Sequence, residues 1–323
     1  MTSQVMVSWT VRAHAQCIDT DNNEGKRFMT GTQEVIAAHR AAGRYFVADG
    51  VRSFVREEGE GVPVVFLHGM WGSSFQYRKV LAEVAARGLR GIAWDLPGFG
   101  LADRPVDYDY SWSGLGGFCA AAADALELDR FHLVVHDIGG PVGFELAATR
   151  ARQVVSLTLL NTIVSATDFS PPWSMRPFRH RLIGEIWKAG LNRPLFRALM
   201  HLQGVRDRSS MSRPEMDAYL ELMRGSDGGR AFLKVARSAE RTAGKDALYR
   251  SVVSNPGYPV QVLWAKDDPA MKLGTYGEKA REAAGMKEIP ALPGKHFFQE
   301  EQPRAIAETI ARLASMAAPG SRP

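Results

Sequence analysis

The 323-residue sequence predicts an α/β fold, in which a mostly parallel sheet is flanked by helices and interrupted by an inserted helical segment. Two observations support this fold class. From residue 63 onward, short apolar runs alternate with segments of helical periodicity, which is the repeated strand–helix–strand pattern of a parallel sheet. Between residues 165 and 250 this alternation stops, and helix-like segments broken by Pro and Gly replace it. We therefore expect one large domain that carries an insertion.

The first elements precede the alternating pattern. Residues 1–43 show no clear alternation and end in a helix-like stretch, so we interpret them as an N-terminal extension. RYFVADG and VRSFVREEG are predicted to form a β-hairpin through Asp49-Gly50, because Asp-Gly supplies the positive φ angles of a tight turn. The next predicted elements are PVVFLHG (strand), QYRKVLAEVAARG (helix), LRGIAWDLPG (strand), GLGGFCAAAADALEL (helix), RFHLVVHD (strand), PVGFELAATRARQ (helix) and VVSLTLLNT (strand).

The sheet is predicted to resume after the insertion. YPVQVLWAKDD (258–268) reads as a strand, a short strand lies near MKEIPALPG, and PRAIAETIARLASMA is a closing helix. The tail APGSRP is expected to be frayed. The predicted organisation is an extension (1–43), a core (44–164 and 251–323) and a helical cap (165–250).

Composition limits the function classes. Cys17 and Cys119 lie about a hundred residues apart, which argues against a disulfide framework and favours a cytoplasmic protein. No apolar run approaches the roughly eighteen residues that span a bilayer, and the N-terminus lacks an export signal. Residues 165–250 hold sixteen Lys and Arg against nine Asp and Glu. Without a nucleic-acid motif, this surplus indicates a basic helical surface and leaves a preference for anionic or phenolic substrates open.

Titratable residues follow three of the predicted strands. Asp137 ends the apolar run FHLVVH, the pair Asp267 and Asp268 follows VQVLWAK, and His296 follows the last strand. In open parallel sheets, functional groups gather at the carboxyl ends of the strands. A carboxylate at the tip of a buried strand is costly unless its charge is used. The order carboxylate, carboxylate, histidine therefore predicts a reactive site.

Five motifs resemble the α/β-hydrolase fold, and the resemblance covers roughly residues 44 to 315. They are HGMWGSS, WDLPGFGLADRP, HDIGG, LWAKDDP and GKHFFQEEQP, in the order of nucleophile, acid and base typical of that fold. No G-x-S-x-G motif occurs, which excludes an ordinary serine esterase. Asp137 stands at the nucleophile position, so the chain is similar to the branch that contains epoxide hydrolases and haloalkane dehalogenases.

The resemblance implies a role for each of these residues. An ionised Asp137 attacks an sp³ carbon and forms an alkyl ester, which water hydrolyses with His296 as the base. Asp268 orients the imidazole, because the acid of the family immediately precedes a proline; Asp267 is the alternative. The backbone N–H groups of Ile138 and Met70 form the oxyanion hole. No cofactor and no metal are implied.

The leaving group distinguishes the two activities. Dehalogenases commonly hold the halide with a Trp after the nucleophile and an Asn after the HG pair, whereas Ile138 and Met70 stand at those positions here. An epoxide oxygen needs a donor from the cap. Tyr249 and Trp187 are the first candidates and Tyr219 the next. The sequence departs from many epoxide hydrolases in one respect, because Trp71 replaces the proline of their HG-x-P motif.

Aromatic residues are expected to line a wide pocket for a bulky or aromatic epoxide: Trp71, Trp173, Trp187 and Phe297, with Tyr219 as a further substrate contact. This arrangement is similar to epoxide hydrolases of angucycline-type polyketide antibiotic pathways, which implies secondary metabolism. The expected product is a vicinal diol. Haloalkane dehalogenation, or ligand binding without turnover, are the alternatives. The expected partners are a small-molecule epoxide and water, without nucleic acid or membrane, and a homodimer is left open.

Overall fold

A computed structural model describes residues 30–254 and 256–317. The tail that was predicted to fray (318–323) and most of the N-terminal extension lie outside the described residues. Of that extension, the helix-like stretch is confirmed as a helix that packs against a helix of the inserted segment and against the first strand.

Eight strands form one sheet in the described part of the chain, with the spatial order β1-β2-β4-β3-β5-β6-β7-β8. The first two pairings, β1 with β2 and β2 with β4, are antiparallel, and every other neighbouring pair is parallel. The mostly parallel sheet is therefore confirmed. The strands are β1 (Gly43–Ala48), β2 (Val51–Glu58), β3 (Val62–Leu67), β4 (Leu89–Trp94), β5 (Phe131–Asp137), β6 (Val154–Thr162), β7 (Val260–Ala265) and β8 (Ala291–Leu292).

Eleven α-helices accompany the sheet within the described ranges. They are α1 (Gly31–Ala41), α2 (Arg78–Ala85), α3 (Trp112–Ala125), α4 (Gly139–Thr149), α5 (Arg181–Gly190), α6 (Arg193–Leu199), α7 (Arg213–Arg224), α8 (Arg230–Arg237), α9 (Ala243–Ser254), α10 (Glu278–Ala283) and α11 (Pro303–Met316). Short 3₁₀ turns cover Ser74–Tyr77 and Arg176–Arg179, and π-helical turns cover Met200–Gly204 and Leu273–Gly277.

The hairpin at the edge of the sheet has the predicted turn. Asp49 and Gly50 both have positive φ angles, of 48° and 71°. Ala48 and Val51 are the paired residues on either side of this two-residue loop. The turn therefore uses the backbone conformation that the Asp-Gly pair was expected to supply.

The central strand β5 separates two hydrophobic cores. All seven of its residues are buried. Leu133 and Val135 pack into the core shared with α3 and α4, whereas Val134 packs into the core shared with α2 and α11. Side chains alternate across a strand, so one continuous apolar run can bury both of its faces. This burial holds the carboxyl end of β5, where Asp137 lies, in a fixed position.

The insertion between β6 and β7 contains α5 to α9 and no strand in its described residues. Its apolar side chains, among them Phe178, Phe196 and Phe232, are buried in the same core as α3 and α4. The predicted helical character of this stretch is confirmed, while its division from the core as a separate domain stays a prediction. No helix of residues 30–254 or 256–317 is both long enough and apolar enough to cross a bilayer.

Candidate active site

Asp137 occupies a strained turn between β5 and α4. Its φ angle is 54°, in the left-handed region that non-glycine residues rarely adopt. The two glycines that follow are required by close packing. A Cβ on Gly139 would lie 2.4 Å from the Leu67 carbonyl oxygen, and one on Gly140 would lie 1.8 Å from Thr162 Oγ1. The sequence after Asp137 is therefore explained by a sharp turn that presents one carboxylate.

The Asp137 carboxylate faces backbone donors on one side. Its Oδ1 accepts a hydrogen bond from Met70 N at 2.7 Å, and the backbone N–H of Ile138 also donates to the carboxylate. Gly69 allows this approach, because a Cβ there would lie 2.3 Å from the Asp137 Cβ. Burial raises the pKa of Asp137, although His296 and the two backbone donors lower it in part. The two predicted oxyanion donors thus both contact the carboxylate.

His296 lies between two carboxylates. Its Nδ1 is 2.8 Å from Asp268 Oδ2, and its Nε2 is 3.6 Å from Asp137 Oδ2. Burial by itself would lower the pKa of His296, but the charges of Asp268 and Asp137 outweigh it and raise the pKa above the ordinary value. The ring is therefore oriented by one carboxylate and directed towards the other.

Asp268 is held by donors on both oxygens. Its Oδ1 accepts from the backbone N–H groups of Ala270 and Met271, and its Oδ2 accepts from Asn161 Nδ2 at 2.5 Å. Burial alone would raise the pKa of Asp268, but His296 and these donors lower it. Asp267 instead lies on the surface, where its Oδ2 is 2.8 Å from Arg206 Nη1. The structure thus brings Asp268, and not the alternative, to the histidine.

Two buried histidines hold the loops around the site. His136 Nε2 is 2.9 Å from the His296 carbonyl oxygen, and burial lowers the pKa of His136 well below its ordinary value. His68 Nδ1 is 3.0 Å from the Gly69 carbonyl oxygen, while its Nε2 accepts from Leu96 N. Burial lowers the pKa of His68 to about 4. Both rings are therefore neutral near pH 7 and act as hydrogen-bonding supports.

A cavity of about 80 Å³ opens above Asp137 and His296. A single water molecule needs roughly 10–15 Å³ of such space, so several waters or a small organic group fit. Most of the wall is apolar, which is typical of a site for a small organic ligand. Besides Asp137 and His296, its polar side chains include Ser174, Gln203, Arg179 and Arg241.

Comparison with known proteins assigns the family. The sequence profile of the group described as "Alpha/beta hydrolase family" matches residues 64–309. The chain belongs to the alpha/beta hydrolase family. The predicted fold class is thereby confirmed.

This alpha/beta hydrolase resembles proteins of both expected activities. Haloalkane dehalogenase 2 of Mycobacterium tuberculosis is 26% identical over 282 residues, covering 83% of this chain and 93% of the relative. The Cfl2 structure from Burkholderia cenocepacia is 26% identical with a TM-score of 0.70, covering 84% and 94%. The epoxide hydrolase CorEH is 20% identical with a TM-score of 0.72, covering 85% and 99%, and shows the shared fold.

The tyrosine predicted as the donor of this alpha/beta hydrolase does not reach the cavity. The Tyr249 hydroxyl donates to Glu145 Oε1 at 3.1 Å, and its ring packs against Phe144 and Trp112. Lys245 Nζ lies 2.5 Å from the same Glu145 oxygen. The carboxylate on α4 thus holds the Tyr249 hydroxyl at the interface between α4 and α9, and the role predicted for Tyr249 has no support from its position.

Three other aromatic residues also lie away from the cavity wall. The Tyr219 hydroxyl donates to the buried Glu300 at 2.7 Å, and Tyr219 does not line the cavity. Trp187 packs against the core with its Nε1 buried, and Trp173 is 52% exposed. The structure therefore does not bring Tyr219, Trp187 and Trp173 to the wall of the cavity. Trp71 and Phe297 do line the cavity.

Several site residues were missed at the sequence level. Asn161 is the residue before the last of β6 and has a φ angle of 34°, and its position near a strand end was the available signal. Ser174 Oγ donates to Gln203 Oε1 at 2.9 Å, and the Gln203 carbonyl accepts from His296 N. Nothing in the local pattern distinguishes this Ser and Gln from other polar residues of the insertion. Only the packing of the insertion over the sheet brings them to the cavity.

Proposed function

We propose that the protein hydrolyses an epoxide to a vicinal diol through a covalent ester on Asp137. The observation that carries the proposal is the alignment of Asp137, His296 and Asp268, with separations of 3.6 and 2.8 Å, at the base of an apolar cavity. A carboxylate placed beside a base is suited to substitution at a saturated carbon. The absence of a serine at the elbow excludes the usual acyl-enzyme route.

In the first step, Asp137 Oδ2 attacks a ring carbon of the epoxide. A C–O bond to the carboxylate forms while the ring C–O bond breaks, and its electron pair passes to the departing oxygen. That oxygen takes one proton from water in the cavity. Met70 N holds Oδ1 and Ile138 N also donates to the carboxylate, whereas Oδ2 is the oxygen that lies 3.6 Å from His296 Nε2. Burial removes water from the carboxylate and makes it more reactive.

The departing oxygen needs hydrogen-bond donors on the cavity wall. Gln203 Nε2 is buried and has no hydrogen-bond partner in the described part of the chain. Leaving a buried donor unpaired costs about 1–3 kcal/mol, and an oxygen of the substrate would offset this cost. We assign Gln203, oriented by Ser174, as the group that polarises the epoxide in place of the predicted tyrosine.

In the second step, His296 Nε2 removes a proton from water, and the resulting hydroxide attacks Cγ of the Asp137 ester. The oxyanion forms at Oδ1, where the Met70 and Ile138 N–H groups stabilise it. Collapse of this intermediate breaks the bond between Cγ and the alkyl oxygen. The departing alkoxide takes the proton of the new carboxylic acid, which releases the diol and restores the carboxylate. Asp268 stabilises the positive charge on His296 until the proton passes to solvent.

Haloalkane dehalogenation is the second candidate, favoured by the name of the curated relative. Against it, neither Ile138 nor Met70 has a side-chain N–H for the halide. In its favour, Trp71 and Gln203 both line the cavity. The Nε1 of Trp71 and the Nε2 of Gln203 are buried donors without a hydrogen-bond partner in the described residues. A ligand-binding protein without turnover is the third alternative, and the aligned Asp, His and Asp side chains argue against it.

Trapping of the ester tests the proposal. His296→Gln should accumulate the alkyl-enzyme, which intact-mass spectrometry detects as the protein plus one epoxide, located by peptide mapping at Asp137. Asp137→Asn is the matched control and should show no adduct. Parallel incubation with bromoalkanes and measurement of bromide release distinguish the second candidate. If neither substrate class gives an adduct or a product, covalent catalysis by Asp137 is wrong.

The finer predictions of organisation and context remain proposals. We propose that residues 165–250 act as the cap that closes the cavity, since Ser174 and Gln203 of this stretch line it. A cytoplasmic location and a role in secondary metabolism rest on the sequence alone. The displacement of Trp173 and Trp187 from the cavity wall weakens the argument for a flat polycyclic substrate.

A further inference from the structure

Two arginines of the insertion line the otherwise apolar cavity. Arg179 ends a 3₁₀ turn before α5, and Arg241 lies between α8 and α9. Within the part of the chain that the structure describes, the titratable side chains of the wall are Arg179, Arg241, Asp137 and His296. Arg179 is exposed, and Arg241 is half-buried. Because two separate loops contribute them, folding of the insertion brings them to one place.

Neither guanidinium has an acidic partner within residues 30–254 and 256–317. No carboxylate oxygen lies within 4.0 Å of either group, and neither side chain donates a hydrogen bond there. Nearby carboxylates bind elsewhere: Asp168 pairs with Lys279 at 2.6 Å, and Glu240 accepts from Ser113 at 2.8 Å. Both arginines therefore keep their donors free for a ligand.

The charge of Arg179 acts on Arg241. Burial lowers the pKa of Arg241, and the charge of Arg179 lowers it further. The Arg241 Cζ lies 5.2 Å from the ring centroid of Phe169, which is also on the cavity wall. Placing two like charges at an apolar wall is unfavourable without a counter-charge, and an anion between them would relieve this repulsion. Guanidinium groups favour planar carboxylates, which they can bind in bidentate fashion.

We infer that the substrate is an epoxide that carries a carboxylate, with Arg179 and Arg241 binding the carboxylate and Asp137 attacking the epoxide carbon. This inference rests on the proposed function of the site, and it assigns the specificity to the inserted segment. The apolar wall contacts the carbon chain between the two polar ends of the substrate.

The test compares ω-epoxy carboxylates of graded chain length with their primary amides, which have the same shape and no charge. For at least one length, kcat/KM should be about ten- to a hundredfold higher for the acid, the range expected for hydrogen bonds to a charged group. Arg179→Gln and Arg241→Gln should each reduce this ratio, because each variant should lower kcat/KM for the acid more than kcat/KM for the amide.

Arg181→Gln is the matched control. Arg181 is exposed at the start of α5 and lies off the cavity wall, so its replacement removes the same charge and should preserve the ratio. Equal turnover of acid and amide at every length, or a ratio that survives in the Arg179→Gln/Arg241→Gln double variant, would overturn the inference while leaving epoxide hydrolysis intact.

A binding measurement separates the two proposals. Calorimetry of the ω-carboxylate diols with the Asp137→Asn protein requires no turnover. Binding that is lost in the double arginine variant supports the carboxylate site even if no epoxide is hydrolysed. Equal binding of the acid and amide diols to Asp137→Asn contradicts it.

Discussion

Asn161 Nδ2 donates to the same Asp268 oxygen, Oδ2, that lies 2.8 Å from His296 Nδ1. Asn161 Oδ1 in turn accepts from Ala265 N at 2.8 Å, so the amide connects the ends of β6 and β7. Through this connection the carboxylate that orients the histidine is fixed to the sheet.

Asn161→Ala should slow hydrolysis of the ester and spare its formation. Asn161 acts through Asp268, so its loss should reduce the rate of the second step about tenfold, as for loss of one hydrogen bond to a charged group. Rapid-quench kinetics should show a larger burst of covalent enzyme, while the rate constant of ester formation stays unchanged. An equal fall in both steps would instead indicate a general loss of structure.

Turnover should depend on the protonation of His296. The neutral ring is the base, and the pKa of His296 is raised above 6.5 by Asp268 and Asp137. The hydrolysis rate should therefore rise with pH as the ring loses its proton, at a pKa that Asp268 raises, because Asp137 carries no charge once it is an ester. In Asp268→Asn, the charge that raises the pKa of His296 is removed, so the rise of the hydrolysis rate should occur at lower pH. Single-turnover rates measured across pH test this shift. If the rate rises at the same pH in Asp268→Asn, a group other than His296 controls the pH dependence.

Tyr249→Phe and Tyr219→Phe should retain turnover within about twofold, because neither hydroxyl reaches the cavity. Tyr249→Phe should lower the free energy of unfolding by about 1 kcal/mol through loss of its hydrogen bond to Glu145. Steady-state kinetics and denaturant unfolding measure the two effects. A hundredfold loss of kcat in either variant, with folding intact, would restore the tyrosine as the proton donor.

Gln203→Leu should slow ring opening, because it removes the unpaired donor that we assign to the epoxide oxygen. We expect the rate of ester formation, measured by rapid quench, to fall about tenfold or more. Gln153→Leu is a suitable control, since one atom of the Gln153 amide, Oε1, is likewise buried without a partner in the described residues, but Gln153 lies off the cavity wall. A similar loss of rate in both variants would contradict the assignment.

Gly140→Ala should destabilise the elbow. The new Cβ would lie 1.8 Å from Thr162 Oγ1, and relief of such a clash costs about 1–3 kcal/mol. Gly117→Ala in α3 is the control, because its Cβ would meet nothing within 4 Å and alanine favours helix by up to about 1 kcal/mol. Urea unfolding should give a lower free energy of unfolding for Gly140→Ala, and a higher one for Gly117→Ala, than for the unmodified protein. Equal stability would mean that the elbow can relax.

The fold and the aligned Asp, His and Asp residues follow from local patterns. β5 consists mostly of one apolar run whose burial on both faces is visible in the sequence, and Asp137 is its last residue. Helix boundaries were less accurate: α3 begins at Trp112, two residues before the predicted start, because the Ser111 hydroxyl accepts from Gly114 N. A single side-chain cap moved that boundary.

By itself, the sequence determined the order of strands and helices and the residues at the strand ends, because periodicity and turn chemistry act over a few neighbouring residues. Only the tertiary structure decided which side chains of the insertion reach the cavity. Tyr249 and Gln203 are both polar residues of helical segments, yet Glu145 holds the first away from Asp137 while packing directs the second to the cavity wall. Such contacts join residues far apart in the chain, so no local pattern encodes them.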